Sequence, residues 1–343
     1  DSYQRLATAV FREMVATGIT SVGEFHYLHH QPGGTPYDDP NAMGHALLAA
    51  ADDAGIRIRL LDACYLSAGF GDQGPLPPEG VQLRYSDGDV EAWAARVERL
   101  PAERTGVAIH SVRAVPREQL PEVAQAAAGR PLHVHLSEQV LENDACLAAH
   151  RMTPTELLDS AGALGPTSTA VHATHLTDDD IRLLGQVGTF ACFCPTTERD
   201  LADGIGPSVQ LAQAGSRLTL GSDSHAVVDL FEEMRAVEMH ERLVTQQRGH
   251  WSAAELLRAA TADGHASLGF DDAGEIAVGK RADLVTLDLD SPRTAGTGAS
   301  VESVVFAATA ADVRQVRVEG RLVHDGDTGS VGRELAAAIE ALR

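Results

Sequence analysis

Short runs of β-branched and aliphatic residues alternate with amphipathic segments along most of the chain. Each run is bounded by polar, glycine or proline positions and is too short for a buried helix, which predicts strands. The seven predicted strands are Ser21–Phe25, Ile56–Leu61, Gly106–His110, Leu132–Leu136, Thr169–His172, Thr189–Phe193 and Arg217–Gly221. Because strands that alternate with helices form parallel β/α units, we assign the chain to the α/β class.

Helix start signals lie between these strands. The segments TPTE (153–156) and SAAE (252–255) are capping boxes, in which the first and last side chains bond each other's backbone N–H groups. The first of them also has proline at the first helical position. Three aspartates after Thr177 suit a helix N-terminus, where the helix dipole favours negative charge.

The chain opens on a helical pattern rather than on a strand. Leu6, Val10 and Met14 form an apolar stripe that ends at Gly18. Seven strands fit either an open, doubly wound sheet or an eight-stranded barrel without its first strand. Since a helix in first position would follow a strand in β/α units, we interpret the fold as a (β/α)8 TIM-type barrel whose first strand is absent from this sequence.

The pattern changes after Leu268. The segments GEIAVGKRADLVTLDLD (274–290) and VRQVRVEGRLVHDGD (313–327) predict strands and hairpins, which the loop SPRTAGTGAS (291–300) joins. An amphipathic helix is predicted over roughly 331–342. We therefore predict a barrel over residues 1–268 and, over 269–343, the C-terminal part of a small β-sandwich domain with a terminal helix.

Composition narrows the possible functions. Hydrophobic residues make up 44% of the 343 residues and the mean hydropathy is −0.10, as in a globular protein. The net charge is −22 without a basic stripe, which argues against a nucleic acid or an anionic membrane surface as partner. No apolar run is long enough to span a membrane, and the segment DSYQRLATAV does not resemble a signal peptide. Four cysteines without CxxC spacing favour reduced thiols, so we expect a cytoplasmic protein.

Polar side chains gather where four of the predicted strands end. They are His110 and Arg113, His135 and Glu138, His172 and His175, and Asp223 and His225. Functional residues of a β/α barrel lie at the carboxyl ends of its strands. A single histidine in such a place is usually a hydrogen-bonded structural residue, but four strand ends of this kind together favour an active site.

These residue types suit a metal-dependent hydrolase. A divalent metal, most simply zinc, needs neutral imidazoles and a carboxylate, which His135 and Asp223 can supply. His133 lies on the same face of its strand and competes for this role, but His135 is nearer the strand end. Glu138 can carry protons as a general acid/base, and His172 and Asp223 can accept the protons of the activated water.

The same residues resemble the amidohydrolase superfamily. HVHLSE (133–138) matches its H-x-x-E motif, His172 and Asp223 match the histidine and the aspartate of later strands, and GEIAVGKRADLV (274–285) resembles its closing β-sandwich segment. Further blocks resemble the formimidoylglutamate deiminase family within it: TSVGEFHYLHH (20–30), HSVRAV (110–115), CPTTERDLADGI (194–205) and GSDSH (221–225).

This resemblance implies a function. It implies hydrolysis of N-formimino-L-glutamate to N-formyl-L-glutamate and ammonia in histidine breakdown, with one zinc ion and a small substrate that carries two carboxylates. In that family arginine, histidine and tyrosine hold these carboxylates, and the matching positions here are Arg113, His110 and Tyr27. We also expect a homodimer.

The sequence departs from the superfamily at one point. The superfamily's first strand carries an H-x-H pair that completes the metal site, whereas the single H-x-H of this sequence is His133 and His135. We expect the sequence to be a fragment, because an open barrel edge exposes backbone groups and apolar surface. Two alternatives stay open. One is an aminohydrolase of a heterocyclic amine such as guanine or a pyrimidine, against which Arg113 and the 4% aromatic content argue. The other is a truncated, non-catalytic homologue.

Other polar residues near these motifs are expected to be structural. These are His29, His30 and His175, the cysteines Cys192 and Cys194 on one side of a strand, and Glu198 and Arg199, which we expect to pair with each other.

Overall fold

The computed structural model describes residues 2–71 and 73–343. Its main feature is a parallel sheet of seven strands. In their order across the sheet, the strands are β1 (Ser21–His26), β2 (Arg57–Cys64), β5 (Thr105–Ile109), β6 (Leu132–Leu136), β7 (Ser168–His172), β8 (Phe190–Phe193) and β9 (Leu218–Leu220). All seven predicted strands are therefore confirmed, with small shifts at their ends. Two short strands, β3 (Phe70–Gly71) and β4 (Gly74–Pro75), form a separate antiparallel pair.

The central strands are buried on both faces, which explains their nearly continuous apolar sequences. Alternate residues of β5 and β6, such as Val107 and Val134, join the large core that also contains the helices. Leu61, Ala63 and Ala108 point to the other side and form a small inner cluster. Because side chains alternate along each strand, one set of residues packs in the outer core with the helices and the other set faces the inside of the sheet.

The described chain forms fourteen α-helices, of which α1 precedes β1. They are α1 (Ser2–Ala16), α2 (Ala42–Ala54), α3 (Val90–Val97), α4 (Leu120–Ala127), α5 (Val140–His150), α6 (Pro154–Ser160), α7 (Asp178–Val187), α8 (Pro195–Asp200), α9 (Ser208–Ala214), α10 (Leu230–Thr245), α11 (Ala253–Arg258), α12 (Gly264–Ser267), α13 (Val301–Phe306) and α14 (Thr328–Glu340). The predicted start signals are confirmed, because Thr153, Thr177 and Ser252 each accept a backbone N–H of their helix's first turn.

The buried face of α1 differs from the predicted stripe. Phe11, Met14 and Val15 are buried, whereas Leu6 and Val10 are only half-buried. Because α1 packs against α2 and α14, the side of the helix that faces these neighbours is the one that becomes buried.

The chain after the barrel strands forms a three-stranded antiparallel sheet in the order β10-β11-β12. Its strands are β10 (Leu284–Leu287), β11 (Val313–Val318) and β12 (Arg321–His324). Of the strands and hairpins predicted over 274–290, only β10 forms, because the preceding residues make bends and turns in which Ile276 and Val278 are 89% and 107% exposed. The predicted division at Leu268 stays a prediction. In the described part of the chain, no helix is long and apolar enough to cross a bilayer.

The seven-stranded sheet curls around a cavity of about 780 Å³. Val10 and Met14 of α1 line it on one side, and polar residues beyond β6, β7 and β9 line it on another. Among residues 2–71 and 73–343, β1 and β9 each pair with a single neighbour, so both are edge strands of this sheet. The carboxyl ends of the parallel strands meet at one rim, which is where a β/α barrel binds its ligands.

A buried ionic cluster lies between the sheet and its helices. Asp62 accepts two bonds of 2.8 Å from Arg96 and one of 3.0 Å from the Trp93 indole. The rings of His26 and His29 lie 5.0 Å apart beside it, and both Nδ1 atoms are buried without a partner among the described residues. Burial, with His29 next to it, lowers the pKa of His26 to about 3.

This cluster predicts a loss of stability in mild acid. A histidine whose pKa is lowered by folding contributes stability above about pH 6.5, and this contribution is lost as the pH falls toward the folded-state pKa. Because of His26, the free energy of unfolding should therefore fall by about 1.4 kcal/mol for each pH unit below about pH 6.5. In urea melts between pH 7 and pH 4.5, the difference in stability between wild type and His26→Gln should shrink as the pH falls. Gln125→Ala, at an exposed residue of α4 that does not titrate, is the control and should run parallel to wild type. Parallel profiles for His26→Gln would contradict the prediction.

Candidate active site

His135 is the last but one residue of β6 and reaches the rim with a defined tautomer. Its Nδ1 lies 2.7 Å from the carbonyl oxygen of His110, so Nδ1 donates the hydrogen and the lone pair is on Nε2. Burial and the neighbouring His172 lower the pKa of His135, so the ring is neutral near pH 7. A neutral imidazole with a free Nε2 is the form that ligates metals.

His172 ends β7 in an unusual backbone conformation. Its φ is +68° and that of Ala173 is +49°, so the chain turns sharply where the strand stops. The imidazole is buried, and its Nδ1 lies 3.3 Å from Glu198. Its Nε2 lies 3.7 Å from Glu138 and 4.0 Å from Asp223. The ring stacks on His135 with centroids 5.6 Å apart.

Asp223 follows β9 and is also in the left-handed region, with φ +49°. Its side chain is 30% exposed, which leaves it accessible from the cavity. Thr197 of α8 holds the loop on both sides of it, because its hydroxyl donates to the Ser222 carbonyl at 3.0 Å and accepts the Ser224 N–H at 3.1 Å.

The three residues form a candidate metal site. His135, His172 and Asp223 each offer one ligand atom, and these atoms lie within 4.8 Å of one another. Burial opposes a charge on His172, but Glu198, Glu138 and Asp223 outweigh it and raise its pKa to about 9. The local potential therefore favours positive charge. A zinc ion bound here would displace the proton of His172, so two imidazoles and a carboxylate in such a potential fit zinc.

A second histidine–aspartate group, of His26, His29 and Asp62, has a similar spacing. However, Arg96 already donates to both oxygens of Asp62, at 2.8 Å each. The guanidinium balances the charge of the carboxylate and repels a further cation, so this group does not fit a metal.

Glu138 lies just past the end of β6, at the cavity. Its side chain is 17% exposed. Burial raises its pKa, although His172 opposes this, and Asp203 and Asp223 add to the rise. A carboxyl group with a raised pKa beside the candidate metal site suits the role of a general acid/base.

An aromatic wall forms another side of the cavity. The Tyr27 hydroxyl lies 2.9 Å from Nδ1 of His110, and the His110 ring stacks on Tyr65 with centroids 5.2 Å apart. Tyr85 packs against both tyrosines. Burial lowers the pKa of His110 to about 3, so this ring is neutral. Tyr65 and Tyr85 were not among the predicted site residues, since neither follows one of the four strand ends that carry histidine or carboxylate side chains.

Arg113 is placed differently from His110 and Tyr27. It is exposed and does not belong to the residues that line the cavity. Within the described chain its guanidinium forms no hydrogen bond or ion pair, so the group is available to an anion. It is close enough to His110 and Tyr65 for its charge to act on both.

The predicted pairing of Glu198 with Arg199 is wrong. Arg199 donates to Glu232 on α10, whereas Glu198 turns inward to His172 and to the Cys194 N–H at 2.8 Å. Successive residues of a helix point in different directions, so neighbours in sequence do not face each other.

The other polar residues have separate partners. His133 bonds the Ser267 carbonyl at 3.0 Å. His29, His30 and His175 contact, respectively, the Ala63 carbonyl, Asp87 and the Asp203 carbonyl. Cys192 and Cys194 both line the cavity.

The chain matches the amidohydrolase family over residues 1–323. It is 35% identical to the formimidoylglutamate deiminase of Pseudomonas aeruginosa, over 98% of this chain and 77% of that protein. It is 32% identical to the 8-oxoguanine deaminase of the same species, over 97% of this chain and 74% of that protein.

Solved structures resemble the whole chain. An amidohydrolase from Brucella melitensis superposes with a TM-score of 0.89 at 30% identity, covering 100% of this chain and 79% of its own. An adenosine deaminase from Xanthomonas campestris with bound zinc has a TM-score of 0.82 at 25% identity, covering 98% and 74%. These similarities confirm the predicted fold class, a TIM-type barrel of the amidohydrolase kind.

Proposed function

Because this chain belongs to the amidohydrolase family and is a metal-dependent hydrolase of C–N bonds, we propose that it hydrolyses N-formimino-L-glutamate to N-formyl-L-glutamate and ammonia. The observation that carries the proposal is the gathering of His135, Glu138, His172 and Asp223 at one rim of a cavity, in a chain similar along nearly its whole length to a formimidoylglutamate deiminase.

The proposed chemistry uses these side chains in defined roles. One zinc ion held by His135 and Asp223, with His172 beside them, would supply a Lewis acid that makes water nucleophilic near neutral pH. As the water oxygen bonds to the formimino carbon, one proton of the water passes through Glu138 to the terminal nitrogen, and the C=N bond becomes a single bond. His172 and Asp223 accept the second proton of the water and return it through Glu138 to the same nitrogen. The C–N bond then breaks, so both protons of the water leave with ammonia and the carbon becomes the formyl group.

We propose that His110, Tyr27 and Arg113 bind the two carboxylates of the substrate. His110 and Tyr27 form a polar pair on the cavity wall, and Arg113, outside the residues that line the cavity, lies close enough for its charge to act on His110. A guanidinium suits a carboxylate because it donates two parallel hydrogen bonds. In a chain with a net charge of −22, a local cation is what an acidic substrate needs.

A second candidate function is deamination of a heterocyclic amine. Tyr27, Tyr65 and Tyr85 lie together at the cavity, and such a wall also suits stacking on a flat ring. The similarity to an 8-oxoguanine deaminase supports the same alternative. Arg113 favours the acidic substrate, because a heterocycle offers it no carboxylate.

The experiment that separates these functions measures ammonia release with zinc supplied. The substrates are N-formimino-L-glutamate, N-formiminoglycine, which lacks the side-chain carboxylate, and 8-oxoguanine. Both this chain and the longest form that the source genome encodes should be assayed. We expect N-formimino-L-glutamate to have the highest kcat/KM, by about 10-fold to 100-fold over N-formiminoglycine, because a charge-assisted hydrogen bond contributes about 1.5–3 kcal/mol. Faster turnover of 8-oxoguanine would replace the proposal with the alternative.

Removal of Arg113 tests the proposed carboxylate site. Arg113→Met should raise KM for N-formimino-L-glutamate by about 10-fold to 100-fold with a smaller change in kcat, because the contact is equally present in the ground state and the transition state. Arg182→Met, at an exposed arginine of α7, is the matched control and should leave both constants unchanged. An unchanged KM in Arg113→Met would exclude Arg113 from substrate binding.

A further inference from the structure

The first turn of α8 is buried although it is polar. Thr196, Thr197 and Glu198 are 6%, 1% and 1% exposed, and they follow directly on Cys194 and Pro195 at the end of β8. Buried polar groups in a folded protein are hydrogen-bonded, so the partners of this turn indicate what it does.

Glu198 is the central residue of this turn. One of its carboxylate oxygens accepts the Cys194 N–H at 2.8 Å and lies 3.3 Å from Nδ1 of His172. Arg199, the adjacent cation, turns outward to Glu232. Within the described residues, the imidazole of His172 is therefore the ionisable group that Glu198 contacts directly. A buried carboxylate is costly unless it is hydrogen-bonded, which makes this contact a defined one.

This contact determines which ring nitrogen of His172 faces the cavity and which one carries the hydrogen. An ionised carboxylate can only accept, so the hydrogen must lie on Nδ1 of the imidazole. Nε2 then faces Glu138 and Asp223, which lie 3.7 and 4.0 Å away. Without Glu198 the ring could rotate or exchange tautomers, and its reactive nitrogen would not be fixed.

The neighbouring threonines connect the same turn to the rest of the rim. Thr197 bonds both sides of the loop that carries Asp223. Thr196 donates its N–H to Glu233 of α10 at 3.0 Å and its hydroxyl to the same carboxylate at 2.5 Å. The turn is thus anchored to α10 and holds the two groups His172 and Asp223 at a fixed separation.

We propose that Glu198 is a positioning residue, which holds His172 with its hydrogen on Nδ1 and its Nε2 toward the reacting centre, while Thr197 of the same turn holds the Asp223 loop. The effect of Glu198 on turnover rests on the proposed function of the site. Its effect on the tautomer of His172 does not.

The first test is kinetic. Glu198→Ala should lower kcat for N-formimino-L-glutamate by about 10-fold to 100-fold, the usual cost of losing a carboxylate partner behind a histidine at a metal site. KM should change by less than about 3-fold, because Glu198 does not line the cavity. Glu198→Gln keeps an oxygen that accepts both bonds and should restore most of the activity. Glu232→Gln, which breaks the outward pair of the same helix, is the matched control and should behave as wild type.

The second test needs no substrate. In ¹⁵N-histidine-labelled chain, NMR should show a hydrogen-bonded proton on Nδ1 of His172, assigned by its loss in His172→Gln. This resonance should persist in Glu198→Gln and disappear in Glu198→Ala. If Glu198→Ala fails to fold, the NMR comparison of wild type with Glu198→Gln tests the proposal. Absence of the Nδ1 proton of His172 in wild type overturns it. Unchanged kcat in a folded Glu198→Ala overturns it as well. If wild type does not turn over N-formimino-L-glutamate, the proposed function fails while the NMR result still decides the role of Glu198.

Discussion

Glu138→Gln should lower kcat for N-formimino-L-glutamate by about 10³-fold, within the range for loss of a general acid/base. Glu138 lies beside His172 at the cavity, and burial raises its pKa, which favours the protonated form that a general acid needs. Glutamine fills almost the same volume but can neither take nor give that proton. KM and zinc content should therefore change little, because neither depends on proton transfer.

The measurement is steady-state ammonia release with zinc supplied, together with zinc analysis of each variant. Glu122→Gln, at an exposed glutamate of α4, is the control and should match wild type. A Glu138→Gln variant that keeps more than about a tenth of the wild-type kcat would show that another group carries the proton.

The second large effect concerns the candidate metal site. His135→Gln and Asp223→Asn should each weaken zinc binding by at least about 100-fold, because loss of a ligand costs more than the 10-fold to 100-fold loss seen for a partner behind a ligand. His135 offers a neutral Nε2 and Asp223 a carboxylate, and both lie within 4.8 Å of the His172 ligand atom. Ammonia release should fall with the bound zinc.

Zinc affinity is best measured by competition with a chromophoric chelator. The control is His26→Gln, because His26 belongs to the second histidine–aspartate group of similar spacing, in which Arg96 already occupies Asp62. That variant should bind zinc as wild type does. Loss of zinc in His26→Gln but not in His135→Gln would show that the metal binds at the group of His26, His29 and Asp62 instead.

Much of the barrel could be predicted from the sequence because the signal is local. Each buried strand is a short apolar run, and the residues that follow it reach the same rim in any parallel β/α arrangement. His135, Glu138, His172 and Asp223 were brought together by this rule alone, and they lie together in the structure.

What could not be predicted depends on the direction of individual side chains. Glu198 lies five residues beyond the end of β8, whereas Glu138 lies two beyond the end of β6, and the adjacent Arg199 offered Glu198 a simple partner. The orientation of α8 determines that Glu198 contacts His172 rather than Arg199, and this orientation depends on tertiary packing. Tyr65 and Tyr85 come from the long segment between β2 and β5, where no period indicates which side faces the cavity.

The C-terminal segment after Leu268 also differs in part from its prediction. Of the predicted segment 274–290, the first part forms bends and turns, whereas Leu284–Leu287 form β10, which pairs with β11. Alternation predicts that a segment can lie on a sheet, but pairing requires a partner at the right distance.

The reaction in ¹⁸O-labelled water tests the central claim most directly. Zinc-supplied protein, as this chain and as the longest encoded form, would be incubated with N-formimino-L-glutamate, and the products analysed by mass spectrometry and an ammonia assay. We predict N-formyl-L-glutamate with one ¹⁸O in its formyl group and one equivalent of ammonia. Absence of this product in both forms, with turnover of 8-oxoguanine under the same conditions, would contradict the account.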